Sequence, residues 1–320
     1  MKLLRRNWLD VANATNAGHP VANPPLPFSL HPYVPRGGQR RNAYCFGYGV
    51  NYQIFAPPAV HSTNFVGIPT GLLASTAYND YPAALHIHGV RETNPALFQM
   101  LADATCVEDG IEAFCNYMRT VFELDSPPTH DARGLKHYRS NYLRLLRGWG
   151  FDANAREGAL LKSWVESRFG LLPTFHKVVL GHYGSAAWMS YVEEKMSPRF
   201  HNNSIFLQLD LLYEYAHWML AHYVMPGKTH LTLYRGVNDF AEHQLLVRIG
   251  KREAIARQNN LISFSQDRDV ADRFGDTILE VEVPITKILF FNGLLPGHVL
   301  KGEGEYLVIG GDFRVRLAYL

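Results

Sequence analysis

Three short stretches in the last third of the chain carry residues able to do chemistry. Arg235 closes the apolar run LTLY and is followed at once by Gly236. A guanidinium fork at a strand end, beside a residue that lets a ligand approach the backbone, suits a phosphate or pyrophosphate. Further on, Ser263-Phe264-Ser265 would alternate in a strand, two hydroxyls on one face and an aromatic ring on the other. Gly302-Glu303-Gly304-Glu305 then runs into the strand-like YLVIG. In an extended chain both carboxylates would share a face, and their repulsion is best tolerated where a cationic group binds. Each stretch also has an ordinary counterpart: a solvated arginine, an edge strand, a pair of exposed acids. None of the three decides the chemistry alone.

Other constellations are weaker. There is no GxxxxGK[ST] and no GxGxxG between a strand and a helix, so neither a P-loop nor a Rossmann site is indicated. His86 and His88 in LHIHG have the spacing of two metal ligands on one strand face, but no third ligand is evident nearby. With 15 histidines in the chain, chance pairs are expected, and satisfied surface or core histidines are the favoured reading. Ser185 in HYGSAAW lacks the GxSxG context of a nucleophile elbow.

The elements that must position these residues follow from periodicity. Residues 19–38 hold six prolines and should be extended and irregular. Residues 39–94 give mixed signals, with 47–55 as a strand candidate. From about Pro95 the pattern turns helical. Leu97 and Leu101 begin one face; Ile111, Phe114, Tyr117, Met118 and Val121 form another. SPPTHDARG (126–134) reads as a break. Tyr138, Tyr142 and Leu145 follow, then Leu161, Trp164 and Val165. The clearest helix spans 204–224, through Leu209, Leu212, Tyr213, Ala216, Met219, Leu220 and Tyr223. After residue 225 short β-type runs take over: LTLYR, LISFS, TILEVEVP, KILFF, EYLVIG and FRVRLAY. Phe240 to Gln258 is read as one helix between the first two. Helices first and antiparallel strands after define an α+β fold, not a wound parallel sheet. Three regions are expected: 1–95 proline-rich and irregular, 96–225 helical, and 226–320 the catalytic core. The short connection at 225–230 predicts that the helices pack onto the β-core.

Composition bounds the class. Of 320 residues, 47% are apolar and 19% charged, ample for a buried core. A net charge of +2 with no basic stripe argues against a nucleic-acid or acidic-membrane binder. The first 25 residues lack an apolar h-region, and no run approaches the roughly 18 apolar residues of a membrane span. Three cysteines, Cys45, Cys106 and Cys115, without CxxC spacing read as thiols of a reducing compartment. A cytoplasmic protein is expected.

Taken in order, Tyr234-Arg235-Gly236, Ser263-Phe264-Ser265 and Glu303-Gly304-Glu305 resemble the R-S-E signature of ADP-ribosyltransferases related to cholera toxin. The glutamate pair is similar to the ExE form of arginine-specific members. Residues 271–275, ADRFG, resemble the loop that supplies an aromatic platform for nicotinamide, and LLPGHVLKGEGEYLV (294–308) resembles the turn leading into ExE. The overall length and stretches such as HSTNFVGIPTGLLAS (61–75) resemble the bacterial NAD(+)–dinitrogen-reductase ADP-D-ribosyltransferases. One departure is SFS in place of STS.

The resemblance implies an ADP-ribosyltransferase-type β-sandwich core with the helical region packed on it. It implies NAD as co-substrate with no metal required, and transfer of ADP-ribose to an arginine of dinitrogenase reductase (nitrogenase iron protein). That transfer switches nitrogen fixation off. By the same resemblance Glu305 holds the ribose and stabilises the developing cation, and Ser263 orients Glu305. Arg235 grips the phosphates, Gly236 offers backbone groups, and Phe274 stacks on nicotinamide. Glu303 is the residue implied to orient the acceptor guanidinium and take its proton. The PII signalling protein, with ADP, is the implied regulator. The competing expectations are an arginine-specific transferase with another protein target and a non-catalytic NAD- or ADP-sensing module.

Overall fold

The apolar faces of the middle region become a set of helices. The computed structural model describes residues 63–125, 129–130, 136–137, 140–200, 204–238, 244–297, 299–300 and 304–319. These belong to a unit spanning Gln53–Leu320; the unit Met1–Tyr52 lies outside the described residues, as do the proline-rich stretch and the strand expected at 47–55. Helix α1 (Pro95–Ala102) starts with proline at its first turn, where the ring presets φ and the missing N–H costs nothing. Helix α2 (Val107–Val121) places Glu108 and Asp109 in its first turn and Arg119 in its last, matching the helix dipole. It buries Phe114 and Met118, while Val121 stays exposed. Helix α3 (Tyr142–Phe151) is capped by Asn141, whose side chain accepts from the Arg144 N–H. It buries Tyr142, Leu145, Leu146 and Trp149. Helix α4 (Arg156–Phe169) buries Leu161, Trp164 and Val165 and ends at Gly170 in the left-handed conformation. Ser185 caps helix α5 (Ala186–Lys195) by accepting from the Trp188 N–H, a structural use for that serine.

Helix α6 (Ile205–Met219) continues into a wider turn over Leu220–Val224, together covering the expected 204–224. It is buried on nearly every side, so its polar groups need partners inside the protein. Asp210 accepts from the Trp164 indole at 2.7 Å and from the Arg168 guanidinium at 2.7 and 2.9 Å. Glu214 accepts from Arg91 at 2.6 Å and from the Ile87 N–H at 2.7 Å, and meets His86 Nδ1 at 3.0 Å. The first histidine of LHIHG thus has a carboxylate partner. Among the described residues no group of three or more His, Cys, Asp or Glu is arranged to hold a metal.

Six strands follow: β1 (His230–Val237), β2 (Gln244–Arg248), β3 (Glu253–Ser265), β4 (Thr277–Pro284), β5 (Ile288–Phe291) and β6 (Glu305–Tyr319). All their pairings are antiparallel. β1 pairs β4 along its length, β4 pairs the end of β6, and β6 pairs β3 from Glu305↔Ser265 to Arg316↔Glu253. A single pair, Tyr234↔Ser265, joins β3 back to β1 and closes the circuit. EYLVIG and FRVRLAY are one strand, whose pairing with β3 shifts register between Ile309 and Gly311 and whose pairing with β5 shifts between Leu307 and Val308.

Of the helix expected over Phe240–Gln258, residues 240–243 lie outside the described residues, and the described part, 244–258, is not helical. Residues 244–248 and 253–257 instead make an antiparallel hairpin, with Leu245 opposite Ala256 and Val247 opposite Ile255. The Ile249 and Gly250 N–H groups both donate to the Glu253 carbonyl, tying the turn of that hairpin. β-Branched residues fit the pleat better than a helix, and pairing with β3 gives their backbone groups partners.

One hydrophobic cluster contains side chains of both the helices and the sheet, among them Phe114, Trp164, Tyr213, Leu279, Leu307 and Phe313. α6 is fastened to the sheet by polar contacts as well. The Tyr213 hydroxyl donates to the Thr286 carbonyl at 2.8 Å, and His217 Nε2 lies 3.2 Å from the Ile288 carbonyl. No helix among the described residues is long and apolar enough to cross a membrane.

Glu214 offers a stability test. Burial works to raise its carboxyl, but hydrogen bonds from His86, the Ile87 N–H and Arg91 outweigh that and hold it below the ordinary value. Such a group stabilises the fold above its unfolded pKa, near 4.3, and loses that contribution as pH falls through the lower folded value. Glu214→Gln is expected to cost about 2–3 kcal/mol at neutral pH. The gap from the parent should close below about pH 4; urea titrations at the two pH values measure both.

Candidate functional site

The β3–β6 ladder sets the site. Glu305 lies directly opposite Ser265 and Leu307 opposite Ser263, so Glu305 and both serines fall on one face. Glu305 is then a diagonal neighbour of Ser263, within reach of a long side chain. The intervening Phe264 and Tyr306 face the other way and are buried, at 2% and 5% exposure. Tyr306 stacks on Phe291 and donates its hydroxyl to Gln266.

The closing pair Tyr234↔Ser265 brings the end of β1 to this face. Arg235 Nη1 donates to the Ser263 carbonyl at 2.8 Å, so a half-buried guanidinium is fixed against the serine strand. Ser265 Oγ accepts from the Asp267 N–H at 3.0 Å, and Asp267 caps the short helix α7 (Arg268–Asp272). The loop after α7 comes within contact of β1 only because two glycines face each other's backbone. A Cβ on Gly236 would stand 2.1 Å from the Ala271 carbonyl oxygen, and one on Gly275 would stand 2.3 Å from the Val237 carbonyl carbon. The Asp276 N–H donates to Asn238 Oδ1 beside them. Phe274, between the two contacts, is 67% exposed.

These residues line one open cleft of about 480 Å3, together with Gly150, Tyr234, Val270 and Ala271. Arg235, Gly236, Ser263, Phe274 and Glu305 are therefore gathered in a single place. Glu303 lies outside the described residues. Gly304 has φ +62° and the strand begins at Glu305, so the chain is not extended across this step.

One residue was not legible in the sequence. The Trp149 indole N–H, on α3, donates to Ser263 Oγ at 2.9 Å. Its neighbour Gly150 lines the cleft, so the end of α3 forms part of the wall. Nothing in the pattern around Trp149 distinguishes it from a core tryptophan. Behind it Lys162 is fully buried, donating to Asn154 and to the Phe175 carbonyl, with its ammonium 5.8 Å from the Trp149 ring centre.

A cleft that offers a guanidinium, hydroxyls, a carboxylate and an exposed aromatic ring can hold a diphosphate and stabilise a cation at a sugar carbon. This is the chemistry of an enzyme acting on a nucleotide glycoside. The comparisons with known proteins are more particular. Residues 63–317 match the family model described as dinitrogenase reductase ADP-ribosyltransferase. The chain is 57% identical over 269 residues to NAD(+)–dinitrogen-reductase ADP-D-ribosyltransferase of Rhodospirillum rubrum, covering 82% of this chain and 97% of the relative. No solved structure matches it significantly. The chain belongs to the dinitrogenase reductase ADP-ribosyltransferase family.

The glycine contact makes a prediction independent of catalysis. Gly236→Ala forces β1 and the α7 loop apart and should lower stability by about 1–3 kcal/mol. Gly250→Ala, where an added Cβ meets nothing within 4 Å, is the control and should stay within about 0.5 kcal/mol. Urea denaturation of the two variants checks this.

Proposed function

We propose that this protein transfers ADP-ribose from NAD to an arginine of dinitrogenase reductase and thereby switches nitrogen fixation off. Support comes from family membership together with one geometric observation. In a single cleft, Glu305 stands opposite Ser265 on the ladder while Arg235 is hydrogen-bonded to the Ser263 carbonyl. We read the strand circuit as the β-sandwich core of an ADP-ribosyltransferase, residues 226–320. The helical region 96–225 is packed on it, and residues 1–95 precede it. The protein is placed in the cytoplasm with its target, and the PII signalling protein, with ADP, is the regulator in this reading.

NAD supplies a glycoside whose leaving group, nicotinamide, is already cationic and needs no protonation. The residues then divide the work. Arg235 binds the diphosphate with a guanidinium fork. Gly236, in the wall of the cleft, offers backbone groups to the carboxamide, and the exposed ring of Phe274 stacks on the leaving base. Glu305 accepts a hydrogen bond from the ribose and places its negative charge where an oxocarbenium-like cation develops. Ser263 orients that carboxylate. The acceptor guanidinium is delocalised and protonated, with a pKa above about 12, and so is a poor nucleophile. Glu303 orients it and takes its proton as attack proceeds. No step calls for a metal.

The deciding experiment incubates the protein with dinitrogenase reductase and NAD labelled in its adenylate half. Label on an arginine of the acceptor, absent with Glu305→Gln, is the expected result. Glu305→Gln should abolish both transfer and NAD hydrolysis. Glu303→Gln should lose transfer while sparing part of the hydrolysis; equal loss of both would count against the division between the two acids. Glutamate-dependent hydrolysis without transfer would point to another protein target. No turnover of either kind, with PII and ADP supplied, would favour a sensing module. Phe274→Ala should raise the KM for NAD by about tenfold, the size of one aromatic stacking contact.

A further inference from the structure

We propose that Trp149 is a positioning residue, one that turns the Ser263 hydroxyl so that its proton is directed at Glu305. The inference rests on the reading of Glu305 as the acid that stabilises the ribosyl cation. An indole N–H can only donate, whereas a serine hydroxyl has one proton to give and two lone pairs to receive with. The Trp149 N–H lies 2.9 Å from Ser263 Oγ, so the serine is the acceptor in this contact. Trp149 is the hydrogen-bond partner of that oxygen among the described residues, and the serine's proton remains to be given elsewhere. Glu305, one diagonal step away across the β3–β6 ladder, is a carboxylate that can only accept when ionised. With the indole donating to the serine, the hydroxyl proton is left to be directed at the glutamate.

Position matters as much as polarity, and the indole is held. It is 4% exposed on a helix capped by Asn141, and its ring is flanked by the buried ammonium of Lys162. That lysine is fixed in turn by Asn154 and the Phe175 carbonyl. The Ser263 backbone is pinned from the other side by Arg235. A hydroxyl that would otherwise rotate freely is left with one orientation, set by a side chain from the helical layer. The helices thus contribute to the reaction centre itself.

The test uses the full chain and its hydrolysis of NAD without acceptor protein, with Glu305→Gln as the background control. Trp149→Phe keeps an aromatic ring and removes the donor together with part of the indole. It should lower kcat by about tenfold, the size of one hydrogen bond, while the KM for NAD changes by less than about twofold. In a Ser263→Ala background the same substitution should produce no further loss, because the pair acts as a unit. If Trp149→Phe unfolds the protein, β-(3-benzothienyl)alanine at position 149 replaces the N–H with sulfur in a ring of the same shape. A raised KM at unchanged kcat, or an equal further loss in the Ser263→Ala background, overturns the role of Trp149 and leaves the reading of the cleft standing. Parent turnover that does not depend on Glu305 overturns the reading of the cleft, and the role of Trp149 with it.

Discussion

The site depends on the register of one antiparallel ladder, β3 against β6. A slip of one residue would turn Glu305 to the opposite face from Ser263 and Ser265, because strand side chains alternate with a period of two. Several interactions hold that register, and most lie away from the cleft. Phe264 and Tyr306 are buried on the reverse face, so a slip would expose both rings. Further along, Arg257 and Asp312 sit opposite each other and form a two-point ion pair at 2.7 and 2.9 Å. At the irregularity between Ile309 and Gly311, the buried Lys287 donates to the Gly310 carbonyl at 3.0 Å. Burial lowers that amine to about 7, and its hydrogen bond together with the rings of Phe313 and Tyr78 offsets the cost of keeping it inside. The bulge is therefore a fixed point from which the ladder runs to Glu305.

The helical layer contributes to the same end by gripping β3 where it passes beneath. Asn259 accepts from the Thr174 N–H and donates to the Phe175 carbonyl. Asn260 donates to the carbonyls of Lys162 and Leu171. Two adjacent asparagines in a strand would ordinarily weaken it. Here they bond instead to the middle of α4, to Leu171 just past its end and to residues 174–175. Ser263 and its neighbours thereby gain a rigid support that a sheet edge alone would not give.

Local pattern made much of this legible. The alternation of Ser263, Phe264 and Ser265 predicts which faces they occupy, and the resemblance to the R-S-E signature implies that the arginine, serine and glutamate motifs meet. Helix 204–224 was legible because its apolar residues recur at three and four positions. What local pattern misled on was Phe240–Gln258, where spacing looked helical but a turn at Ile249 and Gly250 and pairing with β3 prevailed. Gly304 has a left-handed backbone one residue before the strand begins at Glu305, and Glu303 lies outside the described residues. Trp149 was beyond reach for another reason. Its contact with Ser263 crosses 114 residues of sequence, and a tryptophan on an apolar helix face carries no local mark of such a partner.

The departure from STS to SFS has a physical account in the same geometry. The side chain of the middle residue alternates with the two hydroxyls and is buried in the apolar cluster that the helices and the sheet share, beneath the cleft its segment lines. A threonine there would bury a hydroxyl that needs a partner, whereas phenylalanine fills the space with apolar surface. The exchange therefore alters how the sheet packs and leaves the two flanking hydroxyls on the face with Glu305. Chemistry and packing occupy alternate residues of one strand, and this lets the core of the protein vary beneath a fixed arrangement of reactive groups.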